Sequence, residues 1–147
     1  MSDLTKSSIG RIGEEAAAIH LSRIGYTILE RNFRSGHSEI DIICENDTYT
    51  VFVEVKTRRQ IPDAASPFGS PASAVDSKKQ SAILRGADAY IKANPTEKIP
   101  RIDVIEVYIS KDDAPSILDL RHFENAVCKT GKFSKKSPSR RFQHEAD

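Results

Sequence analysis

The chain has 147 residues, enough for one domain with a real core and too few for two. Hydrophobic residues make up 38% and charged ones 29%, no apolar run nears the roughly 18 residues of a membrane span, and no short apolar segment follows a basic N-terminus, so a cytoplasmic protein without a membrane partner is expected. The net charge of +1 excludes a uniformly basic nucleic-acid binder, yet residues 129–147 hold six basic and two acidic side chains, leaving 16 against 19 in residues 1–128.

In chain order, residues 1–8 read as a disordered start, with Ser8 as the cap of a helix from Ile9 to Ile24 that stops at Gly25. Glu14 lies on the stripe of Ala17, Ala18 and Leu21 at i+3, i+4 and i+7, an odd place for a residue that merely solvates. Strands are predicted over Tyr26–Arg34, Glu39–Cys44 and Tyr49–Thr57, the last two joined by the turn residues Glu45-Asn46-Asp47-Thr48. Residues 59–75, with three prolines and no periodicity, predict a mobile loop. A second amphipathic helix runs from Ser73 or Asp76 to Ala93 and ends at Asn94-Pro95. Arg101–Ile109 and Ser116–Leu120 follow as strands, and residues 129–147 form a basic, disordered tail. The single domain is thus residues 9–128, and its fold class is α/β. Cys44 and Cys128 lack zinc or disulfide spacing, and the four histidines form no ligand pattern, each being most simply surface or half-buried.

Chemistry concentrates in the second and third strands. In Val51-Phe52-Val53-Glu54-Val55-Lys56 the valines share one face, read as core, while Phe52, Glu54 and Lys56 share the other. A symmetric hairpin about Asn46-Asp47 pairs residues whose numbers sum to 93, opposing Glu39 to Glu54 and Asp41 to Phe52 and placing Asp41 diagonal to Glu54 on one face, within about 8 Å. Glu39, Asp41 and Glu54 so gathered repel one another unless a cation is present. An oxygen-only set suits Mg²⁺ or Mn²⁺, and Lys56 beside it suits work on water and phosphate in phosphodiester hydrolysis. The alternative is an ordinary exposed cross-strand pair, Glu54 with Lys56, on a half-solvated sheet. A one-residue slip would turn Asp41 away.

These residues resemble the PD-(D/E)XK nuclease superfamily: Asp41, twelve intervening residues, then Glu54-Val55-Lys56. More closely, the chain resembles the bacterial YraN-like family, itself similar to archaeal Holliday junction resolvases. The matching stretches are Gly10–Ala17, Gly25–Arg34, Glu39–Ile43, Val51–Arg58, Gly69–Gln80 and Arg101–Ile105. The resemblance implies a restriction endonuclease-like α-β-β-β-α-β core, a mixed sheet flanked by helices. It carries Glu14, Asp41 and Glu54 onto the superfamily's acid and metal positions and Lys56 onto its lysine. Ile40 departs from the proline of the superfamily's name, and the loop from Gln60 to Phe68 is longer than the family needs.

The sequence therefore predicts a metal-dependent endonuclease acting on DNA, branched or flapped rather than sequence-specific, with Mg²⁺ or Mn²⁺ as cofactor and a homodimer allowed. Arg31, Arg34, Arg58, Arg59 and Lys79 are candidate phosphate contacts, and Glu39 and Gln80 candidate supporting residues. The rivals are a non-catalytic DNA-binding or scaffold domain that keeps the acidic site, and a two-carboxylate glycosidase, disfavoured by a chain with no Trp, four Tyr and six Phe.

Overall fold

A computed structural model describes residues 5–59, 77–126 and, as backbone, 140–141. The first helix, α1 (Lys6–Arg23), begins earlier than expected, because Thr5 rather than Ser8 caps it: extended at φ −81°, Thr5 accepts the Ser8 N–H at 3.0 Å on Oγ1. Residues 6–8, expected to be disordered, are thus helical. The chain leaves the helix through Gly25 at φ +102°, a conformation that costs glycine little.

Three antiparallel strands follow, β1 (Thr27–Ser35), β2 (Ser38–Glu45) and β3 (Tyr49–Arg58). The helix α2 (Ser77–Ala93) then crosses over to β4 (Ile99–Ile109), which lies parallel to β3 from Tyr49↔Ile99 to Arg58↔Tyr108. β5 (Ile117–Phe123) returns antiparallel to β4, and β6 (Arg140–Arg141) adds two residues against β5. Spatial order equals chain order, β1 to β6. The α/β class and the mixed sheet with flanking helices are therefore as read from the sequence. Apart from Arg59, the predicted loop 59–75 lies outside the described residues, and so does the predicted tail 129–147 apart from residues 140–141.

Both faces of the sheet are covered. Val51 and Val53 of β3, with Ile42, Cys44, Ile105 and Val107, pack against Ala17, Ala18 and Leu21 of α1. Phe52, expected on a half-polar face, packs with Ile43, Ile102 and Val104 against Ile83, Ala87 and Tyr90 of α2. Alternation along β3 therefore points Glu54 into the α2 side of a covered sheet, where it is only 3% exposed.

The small stripe of α1 sets how close that helix comes. A Cβ added at Gly13 would run into the Thr57 hydroxyl and stand 2.9 Å from Thr57 Cβ, so α1 sits almost on β3 there. Gly13→Ala gains up to about 1 kcal/mol of helix propensity, but overpacking costs about 1–3 kcal/mol. A net loss of about 1–2 kcal/mol is expected in urea melts, partly recovered by adding Thr57→Ala. A more stable Gly13→Ala would contradict this packing.

Candidate functional site

The β2–β3 register differs from the one predicted. Asn46 Oδ1 accepts the Thr48 and Tyr49 N–H groups at 2.9 and 2.7 Å, and Asn46 N donates to Tyr49 O at 3.0 Å. This side-chain turn lengthens the loop, so partners sum to 95, as in Glu45↔Thr50 and Ile42↔Val53. The shift is two residues and side-chain direction has period two, so the paired stretch from Ile42 to Glu45 keeps its predicted faces. Ile40 packs on the α2 side and Ile42 on the α1 side, so strict alternation stops at Asp41.

Continuing the register brings Asp41 directly opposite Glu54 instead of Phe52, and Glu39 away from Glu54. Ladder pairing ends at Ile42↔Val53, and beyond it Asp41 Oδ2 accepts the Val55 N–H at 2.8 Å. The Asp41 carboxyl is close enough for its charge to act on Glu54. Burial, then the Asp41 charge, push Glu54 up to about 8, against the opposing pull of Lys79. Lys79, in the first turn of α2, places Nζ 3.0 Å from Glu54 Oε2.

Glu14 approaches from α1. Burial and the Asp41 charge raise its pKa, while Arg31 and a hydrogen bond from Asn32 oppose the rise. Asn32 holds this position at φ 55°, a left-handed conformation that asparagine tolerates. Sequence reasoning missed Asn32; its signal was an asparagine interrupting a β pattern. Lys56 is half-buried on the Glu54 face and makes no ion pair among the described residues. Glu39 stands at the exposed rim, 3.6 Å from Arg34. Gln80 is buried on α2.

The candidate phosphate contacts do not form one patch. Arg31 pairs with Glu15 at 2.9 Å, Arg34 is largely exposed, and Arg59 Nη2 donates to Asp112 O at 2.9 Å. Arg58 faces a second polar group next to the site: Glu106 is fully buried, Tyr108 donates to its Oε1 at 2.8 Å, and Arg121 lies over the Tyr108 ring at 5.3 Å. On the opposite face, Asp103 and His122 are both fully buried and 2.7 Å apart. Asp103 also takes Arg101 at 2.9 Å and Asn125 N–H at 3.0 Å, and His122 Nδ1 lies 3.1 Å from His20 Nε2. The reading of His122 as a surface or half-buried residue is therefore corrected: an internal carboxylate partners it.

Among the described residues no three His, Cys, Asp or Glu side chains are arranged to hold one ion. What the fold joins is the pair Asp41 and Glu54, with Glu14 at electrostatic range. The pair fits a hard divalent cation on donor chemistry: its atoms are carboxylate oxygens, and burial beside a like charge disfavours ionising both without added positive charge.

A family model described as Uncharacterised protein family UPF0102 matches residues 13–107. The chain belongs to the UPF0102 family. The matched UPF0102 span takes in Glu14, Asp41, Glu54, Lys56 and Lys79. The UPF0102 protein of Caldanaerobacter subterraneus subsp. tengcongensis is 40% identical over 127 residues, covering 86% of this chain and 99% of that one. That of Syntrophomonas wolfei is 42% identical, covering 80% and 96%. Among solved structures, Pyrococcus furiosus SfsA in complex with Ca²⁺ is similar at 18% identity and a TM-score of 0.34, with 80% of this chain and 61% of that chain covered. No helix of this UPF0102 chain, among the described residues, is long and apolar enough to cross a membrane.

A raised carboxyl has a sign that melts can read. Glu54 binds its proton more tightly folded than unfolded, so its contribution to stability is full below its ordinary 4.5 and is lost as pH rises through about 8. Without added metal, Glu54→Gln is therefore expected to be more stable than the parent at pH 9, by on the order of 2 kcal/mol and with a higher thermal midpoint, and to differ little at pH 4. A variant less stable than the parent at pH 9 would remove the strained-pair description.

Proposed function

We propose that this UPF0102 protein is a divalent-metal-dependent endonuclease of the PD-(D/E)XK kind, hydrolysing DNA phosphodiesters, with branched or flapped DNA as its substrate class. The supporting observation is the buried Glu54 carboxyl with the Asp41 charge acting on it just beyond the end of the β2–β3 ladder, where Lys56 shares the Glu54 face. Asp41 and Glu54 would hold Mg²⁺ or Mn²⁺, with Glu14 adding negative charge from α1. When bound, the ion supplies charge that polarises the phosphodiester and makes water more acidic. Asp41 is fixed for this by the Val55 N–H. Lys56 reaches the same space with an ammonium not committed to an ion pair among the described residues, suited to orienting water and to meeting charge that grows on the phosphate oxygens.

A second reading, a DNA-binding protein that does not cleave, draws support from the Lys79–Glu54 pair, in which a resident cation already sits on the buried carboxylate. The deciding experiment incubates the protein with linear, flapped and four-way DNA, with Mg²⁺ or Mn²⁺ and without, while calorimetry follows metal binding. Metal-dependent cleavage of structured DNA that Asp41→Asn abolishes is the expected result. DNA binding with no cleavage under any condition would select the second reading. Metal binding that neither Asp41→Asn nor Glu54→Gln weakens would overturn the site.

A further inference from the structure

Among the described residues, Lys79 is the one cation that the fold delivers directly to the buried carboxylate of the site. It enters from α2, whereas Asp41, Glu54 and Lys56 come from the hairpin, and its Nζ lies 3.0 Å from Glu54 Oε2. Its side chain is 47% exposed while that of Glu54 is 3% exposed, so the ammonium reaches inward from the rim and has solvent to return to. Burial disfavours the Lys79 charge, and the charges of Glu54, Asp41 and Glu39 together outweigh that penalty. Lys79 is thus held on Glu54, a carboxylate that a divalent ion would use.

Resting on the nuclease reading, we infer that Lys79 is a built-in competitor for the metal, which a divalent ion displaces from Glu54, and that the released ammonium then serves as a phosphate contact. Two cations cannot share one buried carboxylate edge without mutual repulsion, so entry of the ion and departure of Lys79 are linked. Free of Glu54, a side chain already half in solvent stands at the mouth of the site, where a nucleic acid backbone brings negative charge. Metal and DNA binding then reinforce one another through this residue. Lys79 thereby acts as a binding residue, distinct from Lys56, which makes no ion pair with a carboxylate among the described residues.

The test uses the full chain at pH 9, so that proton release from Glu54 does not mask the competition. Mg²⁺ is titrated calorimetrically into the parent, Lys79→Met, Lys79→Gln and Glu54→Gln. DNA affinity for a four-way junction is then measured with and without saturating Ca²⁺, a probe for metal-dependent binding rather than turnover. Both Lys79 variants are expected to bind Mg²⁺ several-fold to about tenfold more tightly than the parent, and to lose part of the tightening of DNA binding that metal brings. Glu54-dependent Mg²⁺ binding in the parent, with equal or weaker binding in both Lys79 variants, would overturn this inference and leave the nuclease reading standing. A parent with no Glu54-dependent Mg²⁺ binding would overturn both.

Discussion

Asp103→Ala is expected to lower stability by about 3–5 kcal/mol, the scale of an internal ion pair stripped of one partner. Asp103 is fully buried on the α1 side of β4, and the Arg101 side chain beside it is only 10% exposed. Removing the carboxylate takes the main partner from a largely buried guanidinium, leaving it the Tyr26 hydroxyl and Glu124 at 3.9 Å, opens a gap beside His122 and deprives the Asn125 N–H of its acceptor. For a domain of this size the thermal midpoint falls by on the order of 10–15 °C. Asp103→Asn keeps the shape and part of the bonding and loses less. The acid limb gives a second readout. Burial opposes ionisation of Asp103, but hydrogen bonds and charge from His122 and Arg101 win and hold its carboxyl below the ordinary 3.8. Its contribution is therefore present above that value and disappears as pH falls below it. The gap between parent and Asp103→Ala should narrow as pH falls below 3.8; a loss under 1 kcal/mol at pH 7 would show that the network does not hold the sheet.

Lys56→Ala is expected to reduce DNA cleavage by about 10²- to 10³-fold, the scale of removing one preorganised donor to developing charge. Stability should change by well under 1 kcal/mol, since Lys56 has no ion-pair partner among the described residues to strand. Mg²⁺ should still raise the thermal midpoint of the variant, because the ion is held by Asp41 and Glu54. The combination separates chemistry from metal binding in one protein. Cleavage that persists in both Lys56→Ala and Glu54→Ala would belong to a contaminant and end the nuclease assignment.

How much of this was legible in the sequence depended on how local the cause was. Period-two alternation alone put Glu54 and Lys56 on the face opposite the valines, and no packing detail could reverse it. The pairing of Asp41 with Glu54 was harder, because it hinges on Asn46, whose side chain takes two backbone donors and lengthens the loop. Parity kept the faces of the paired stretch from Ile42 to Glu45 despite the wrong register, while the break in alternation between Ile40 and Ile42 left no local signal. The helix start was missed because Thr5 and Ser8 are both good caps and only geometry distinguishes them. The Asp103 network left no local trace: His20, Arg101 and His122 are brought together by three elements, with His20 and His122 separated by 102 positions. Arg101-Ile102-Asp103 was visible as a charged pair on one strand face, but nothing nearby named the histidine that completes it. Lys79 could be proposed for phosphate from its charge, yet its bond to Glu54 depends on where the crossover helix lands.

β1 forms the outer margin of the sheet, and its irregularities bear on what can attach there. Its register against β2 shifts between Ile28 and Glu30, and Asn32 adopts positive φ. Glu30, Arg31, Asn32 and Arg34 are all exposed along it. A strand from another molecule docking edge to edge needs an even row of unpaired N–H and C=O groups and no buried charge. The bulge breaks the row, the left-handed residue breaks it again, and the charged side chains would be desolvated by a neighbour. The backbone excursion at Asn32 therefore also guards this margin against runaway strand addition.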